Sequence, residues 1–167
     1  MKLLGIAGFS GAGKTTLVTK LIPELTHRGV SVSTVKHAHH NFDVDTPGKD
    51  SYEHRHAGAM EVLVSSPQRW ALMHEHRGAA EPSLDELVAK LSPVDVVLVE
   101  GWKFGDHKKL EVFRPSVAQP LLARDDPNVV AVATDADNLD GVRVPLLPID
   151  DIGAVADFVL SFIGWER

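Results

Sequence analysis

The sequence predicts an α/β fold: a doubly wound, mostly parallel sheet flanked by helices, with an antiparallel hairpin as an extension. Three observations carry that expectation. A glycine-rich turn, Gly8 to Gly13, joins an apolar run to an amphipathic one, the strand–turn–helix order of parallel-sheet proteins. Val94 to Val99 is almost continuously apolar, as a strand covered on both faces must be. Short β-branched runs then alternate with helical stripes up to the C-terminus.

Lys2 to Ala7 reads as the first buried strand. Lys14 to Arg28 reads as a helix, with Leu17, Val18, Leu21, Ile22 and Leu25 on one face and Gly29 as its stop. Pro23 inside it lacks a backbone donor and predicts a kink. Val30 to Lys36 is a second strand, and the polar stretch from His37 to Lys49, with Pro47-Gly48, is a long loop. Asp50 to His56 makes a short helix stopped by Gly58. Glu61 to Ser65 and Arg69 to His74 form a hairpin through Ser66-Pro67-Gln68. Its Trp70 and Leu72 fall on one side, which predicts pairing with a second subunit.

Beyond a connector from Arg77 to Pro82, Ser83 opens a helix to Leu91, and Glu86 completes a capping box. Lys109 to Phe113, Val129 to Ala133 and Val142 to Leu147 are further strands. The last helix, Asp151 to Ile163, carries the stripe Ile152, Val155, Ala156, Val159, Leu160, Ile163. No repeat, low-complexity tract or linker divides the chain. Residues 1–167 are therefore expected to form a single domain, in line with about 150 residues per domain.

Composition narrows the function classes. Apolar residues at 44% and charged residues at 24% are ordinary for a soluble globular chain. The 17 Lys plus Arg against 23 Asp plus Glu leave a net charge of −6. That balance disfavours a general basic surface for nucleic acid or anionic membrane, while a local basic pocket remains compatible with it. With no cysteine, disulfides, thiolate nucleophiles and Cys-type zinc sites are excluded. The apolar start is too short for a secretory segment, because Lys14 interrupts it, and no run reaches the ~18 residues of a membrane span. The cytoplasm is the expected compartment. Nine histidines, clustered around His37, His54 and His74, predict pH sensitivity.

Gly8-Phe9-Ser10-Gly11-Ala12-Gly13-Lys14-Thr15 fits G-x-x-x-x-G-K-[ST] at every defined position, between a predicted strand and a predicted helix. Glycines let backbone N–H groups curl around phosphate oxygens, and the helix start points its positive end at the same anion. Gly8, Ser10, Gly11, Ala12, Gly13, Lys14, Thr15 and Thr16 are accordingly the expected nucleotide-binding residues of a P-loop NTPase fold. Lys14 supplies charge to the β and γ phosphates, and the Thr15 hydroxyl ligates Mg²⁺. Glu100, at the carboxyl end of the run Val94 to Val99, is the second metal-side group and the candidate catalytic residue. Asp95, at the other end of that strand, reads as a surface residue. Asp45 is a third candidate metal ligand, in a loop of acids and hydroxyls able to respond to a γ-phosphate. Asp137, in Thr134-Asp135-Ala136-Asp137 after a late strand, reads either as the candidate guanine reader or as part of an Asp-rich turn capping the strand, since Asp135 stands where an [NT]-K-x-D segment has Lys. His37-Ala38-His39-His40 reads either as a transition-metal site or as ordinary structural histidines.

Taken together, these residues resemble the MobB family of molybdopterin-guanine dinucleotide biosynthesis adapter proteins, which are P-loop GTP-binding proteins. The resemblance rests on Gly8 to Thr16, Val35-Lys36-His37, and Asp45-Thr46-Pro47-Gly48-Lys49-Asp50-Ser51 leading to Ala57-Gly58-Ala59. It continues through Asp95 to Lys103 and Lys109 to Arg114, and departs at Glu53, where the family pattern carries a basic residue. It implies a homodimer that binds GTP with Mg²⁺ and hydrolyses it weakly. Its implied partners are the nucleotidyltransferase that joins GMP to molybdopterin, and molybdopterin itself. Without the resemblance, the residues leave open a small-molecule kinase or ligase of the dethiobiotin synthetase type and a metallochaperone GTPase. Slow hydrolysis is expected because no arginine stands near the P-loop in sequence; Arg55 and Arg114 reach it only through tertiary or dimer contacts.

Overall fold

The computed structural model describes residues 1–38 and 42–166. In chain order its elements are β1 (Lys2–Ala7), α1 (Lys14–His27), β2 (Val32–Lys36), α2 (Asp50–His56), β3 (Glu61–Ser65), β4 (Trp70–His74), α3 (Leu84–Val88), β5 (Val96–Glu100), β6 (Lys109–Phe113), β7 (Val129–Thr134), β8 (Leu146–Pro148) and α4 (Ile152–Ile163). They group into two units, Met1–His37 with Val88–Arg167, and Ala38–Leu87.

In the first unit the uninterrupted apolar runs take the middle of a six-stranded sheet of order β2-β5-β1-β6-β7-β8. Every pair in it is parallel. The chain winds from β1 toward β2 and β5 on one side, then toward β6, β7 and β8 on the other, which is the doubly wound connectivity. The reversal lies at β1, so the crevice at its carboxyl end is where such sheets bind ligands. Leu4, Ile6, Leu98, Leu110 and Val112 pack against Leu17, Leu21 and Leu25 of α1 and Val155 and Val159 of α4. Arg28 ties the two helices together, reaching Glu24 and Asp157. On the opposite face Leu121, Val129 and Val132 form a smaller cluster with Val142, Val144 and Leu146.

Several boundaries move; β5, for one, runs Val96–Glu100, and two other shifts have a plain physical reason. Val30 is buried just beyond the Arg28 C-cap of α1, its N–H bonded to Leu25 O at 3.0 Å, and β2 begins only at Val32. The stretch Val142 to Leu147 pairs only from Leu146, because Pro145 brings no N–H to the ladder. Its alternation records burial of Val142 and Val144 against Leu121, not strand pairing. Helix α1 runs on through Pro23. Asp151, expected as the first residue of α4, is its N-cap and accepts from Ala154 N at 2.9 Å. Asp95, expected at the surface, is half-buried and not idle: Ser31 donates to it from N and Oγ, at 2.8 and 2.5 Å, and holds its carboxyl below the ordinary range.

In the second unit α2 covers one face of the β3–β4 hairpin, where Val62 is buried. On the other face Leu63 pairs with Leu72 and Ser65 with Trp70, and Leu63, Trp70 and Leu72 stay exposed at 61%, 66% and 46%. Arg55 organises the interior, gripping Asp43 with bonds of 2.8 and 2.7 Å and Glu75 with one of 3.1 Å. The capping box at α3 is reciprocal: Ser83 N donates to Glu86 Oε2 at 2.8 Å and Glu86 N to Ser83 Oγ at 3.3 Å. The helix it starts ends at Val88, short of Leu91. Among the described residues no helix is long and apolar enough to cross a membrane.

Candidate functional site

The turn between β1 and α1 is built for a ligand that needs backbone. Gly8, Gly11 and Gly13 have φ of 130°, 84° and 102°, values that a side chain resists. A Cβ on Gly8 would also run into Val112 O. Helix α1 begins with no side-chain cap and no acidic residue in its first turn, so its leading N–H groups keep their capacity for an anion. Ser10 and Gly11 are exposed, whereas Ala12 is buried against the core and donates its N–H to Phe9 O at 3.3 Å. Lys14 folds back over the same turn, its Nζ donating to Phe9 O at 2.9 Å. Partial burial pulls its ammonium below the ordinary value, as do Lys103 and Lys36, while Glu100 opposes them.

At the end of β5 the structure brings two of the expected metal-side residues together: Thr15 Oγ1 donates to Glu100 Oε1 at 3.1 Å. Parallel pairing sets Glu100 beside Lys36 of β2 and Ile6 of β1, at the carboxyl edge of the sheet. The turn beyond it is strained. Gly101 has φ 104°, and a Cβ there would stand 2.5 Å from His37 Cβ; Trp102 has φ 38° and its ring lies 4.6 Å from that of His37. Such conformations gather where a site needs them. Here the turn delivers Lys103, whose Nζ sits 4.0 Å from the Phe9 ring centroid, directly on the P-loop. Motif reasoning passes over Lys103, although the fold sets it against the P-loop. The signal available was a second cation three residues after the metal-side carboxylate.

On the other side of β1, Arg114 follows β6 and lies 3.8 Å from the position of a Cβ on Gly13. Its Nη1 donates to Asp135 Oδ2 at 2.6 Å, and its Nη2 stands 3.7 Å from Asp150 Oδ1. Arg114, Thr16, Lys20 and Asp150 border a cavity of about 170 Å³ beside the P-loop. Asp137 is exposed beyond Asp135 and is not part of the cavity wall. Asp45 belongs to the second unit, where it accepts from Ser51 Oγ at 2.8 Å and lies 3.7 Å from Arg55 Nε. His39 and His40 lie outside the described residues. Among the described residues no three His, Asp or Glu side chains cluster to hold a metal unaided. The Thr15–Glu100 pair offers hard oxygen donors, the set that suits Mg²⁺ when waters and phosphates complete the shell.

Residues 3–135 match the family described as Molybdopterin guanine dinucleotide synthesis protein B, MobB. The chain belongs to the MobB family. It is 46% identical over 165 residues to the molybdopterin-guanine dinucleotide biosynthesis adapter protein of Escherichia coli strain K12, covering 96% of this chain and 93% of that one. Its identity to the Haemophilus influenzae adapter protein of the same name is 43% over 164 residues, with 96% and 89% covered. A crystal structure of molybdopterin-guanine biosynthesis protein B superposes with a TM-score of 0.74 at 27% identity, over 96% of this chain and 99% of that one. The MobB match spans the P-loop, Glu100, Lys103 and Arg114, and it ends at Asp135.

Proposed function

We propose that the chain is a GTP-binding adapter in the synthesis of molybdopterin-guanine dinucleotide, acting beside the nucleotidyltransferase that joins GMP to molybdopterin. The observation that carries the reading is the assembled P-loop, with Thr15 hydrogen-bonded to Glu100 at 3.1 Å and Lys14 poised over the turn. In this reading Gly8 to Thr16 hold the phosphates, and Thr15 and Glu100 hold Mg²⁺, which neutralises charge on the β and γ phosphates when bound. Asp45 instead organises the loop ahead of α2 through Ser51. Lys14 and Lys103 are the cations at the phosphate end, while Arg114 is engaged by Asp135 on the other side of the P-loop. Arg114, beside Gly13, is held by Asp135 and does not finish the charge neutralisation, so hydrolysis is slow, well under about 1 s⁻¹. The exposed face of Leu63, Trp70 and Leu72 pairs two copies of the chain. The compartment is the cytoplasm.

Lys14→Ala tests the site. Each charge-assisted phosphate contact contributes about 1.5–3 kcal/mol, so calorimetry with Mg²⁺-GTP should read at least a tenfold loss. The parent, with Mg²⁺-GTP, should raise the yield of dinucleotide from the transferase, and the variant should not. A variant that binds GTP like the parent moves the site elsewhere, and a parent turning over faster than about 1 s⁻¹ favours an enzyme over an adapter.

A further inference from the structure

The cavity beside the P-loop has a size, a position and a wall that suit a nucleobase. It lies at the carboxyl edge of the sheet, bordered by Thr16 and Lys20 of α1, by Arg114, by Ile149 and Asp150 after β8, and by Ile152 at the start of α4. The sheet order sets β5 and β6 on opposite sides of β1. Thr15 and Glu100 mark the β5 side, and the cavity opens on the side of β6 to β8. A nucleotide with its terminal phosphates at Thr15 and Glu100 extends its nucleoside away from β5, and this cavity is what the P-loop borders in that direction. Its volume of about 170 Å³ leaves room for a flat ring system.

The wall is apolar at Ile149 and Ile152 and planar at Arg114, whose guanidinium is fixed by the 2.6 Å bond to Asp135. A fixed guanidinium is a stacking surface for an aromatic ring. Asp150 adds a carboxylate whose side chain is 79% exposed and stands 3.7 Å from Arg114 Nη2, too far for a hydrogen bond. Its oxygens keep their acceptor capacity. A carboxylate only accepts, and guanine presents two donors side by side, N1–H and the 2-amino group. Adenine presents an acceptor, N1, on the corresponding edge and would set lone pair against lone pair.

Building on the P-loop reading above, we infer that this cavity is the base pocket and that Asp150 is the residue that selects guanine, in place of Asp137. Asp150 specifies the base, Arg114 stacks on it, and Asp135 acts through Arg114 by holding its plane.

Calorimetric titration of the parent, Asp150→Asn and Asp137→Asn with the Mg²⁺ complexes of GTP, ITP, XTP, ATP and tripolyphosphate tests this. The parent should bind GTP at least about tenfold more tightly than ITP, which lacks the 2-amino group, or ATP. Asp150→Asn should lose roughly 10- to 100-fold in GTP affinity. It should gain XTP binding, since an amide offers an acceptor to N1–H and a donor to the 2-carbonyl of xanthine. Tripolyphosphate should bind all three proteins alike, and Asp137→Asn should behave as the parent. The inference is overturned if Asp150→Asn keeps the parent's GTP-over-ATP preference, if it loses tripolyphosphate in proportion to GTP, or if the switch follows Asp137. A parent that binds GTP, ITP and ATP equally also overturns it. A parent that binds neither tripolyphosphate nor any nucleotide overturns the P-loop reading itself, and that loss of every ligand tells the two failures apart.

Discussion

Replacing Glu100 by Gln removes one negative charge at the end of β5 and leaves the shape almost unchanged. In the structure its Oε1 accepts the Thr15 hydroxyl proton at 3.1 Å, so the lone pairs of that hydroxyl remain for a cation. A small divalent cation at this turn takes the hydroxyl and takes the carboxylate directly or through water. Loss of such a carboxylate costs about 10- to 100-fold in metal affinity, equivalent to about 1.4–2.8 kcal/mol. Two effects on the nucleotide oppose each other: the phosphates lose a repelling carboxylate, and the Lys14 ammonium loses the group that supports its charge. GTP binding in EDTA should therefore stay close to the parent's. The Mg²⁺ concentration for half-maximal binding should rise about 10- to 100-fold. Single-turnover hydrolysis should fall even at saturating Mg²⁺, because an amide neither carries charge nor accepts a proton. Titration of a fluorescent GTP analogue across Mg²⁺ concentrations, followed by rapid-quench hydrolysis, reads both effects. An unchanged Mg²⁺ midpoint with an unchanged rate would refute the reasoning and leave Glu100 as a structural partner of Thr15.

Three further outcomes are expected. Leu63→Asp, on the exposed hairpin face, should turn a dimer into a monomer in sedimentation at micromolar concentration, and a parent already monomeric there rules the pairing out. Gly101→Ala forces a side chain into φ 104° and sets its Cβ 2.5 Å from His37 Cβ, so urea unfolding should show a loss of roughly 2–4 kcal/mol. A loss under about 1 kcal/mol would mean that the turn before Lys103 relaxes freely. Burial holds the Glu111 carboxyl above its ordinary value of 4.5, against the pull of the Leu122 and Ala123 N–H groups, which donate to it at 2.8 Å. A raised acid binds a proton on folding, so its contribution is whole below pH 4.5 and fades as the pH rises through the folded value. Unfolding free energy should therefore fall with pH above 4.5 more steeply in the parent than in Glu111→Gln, and equal slopes would show that the two donors offset burial.

What the sequence made legible was whatever sits within one short stretch of chain. The P-loop is contiguous, and its strand and helix are read from the residues on either side, so its geometry follows from Gly8 to Thr15 alone. Glu100 was legible for a related reason: an uninterrupted apolar run must be a central strand, and its carboxyl end must face the crevice. The stretch Val142 to Leu147 misled because a period of two records alternating burial, which an unpaired segment produces just as well as a strand.

The base pocket was illegible on other grounds. Arg114, Asp135 and Asp150 follow three different strands, and only the order β6-β7-β8 sets them side by side. A local pattern search stops at Asp137 because that residue completes a segment, whereas the cavity is completed across the sheet. Lys103 shows the same limit at closer range. Its position was visible in the Val-Glu-Gly-Trp-Lys segment, but its bearing on the site depends on Phe9, 94 positions earlier, whose ring it covers at 4.0 Å. The parallel pairing of β1 with β5 closes that distance, as the pairing of β1 with β6 brings Arg114 to Gly13. One strand thus supplies the phosphate turn, and its two neighbours supply what flanks it: metal and cation on the β5 side, base on the β6 side. Exchanging those neighbours would leave every motif in this sequence intact and dismantle the site.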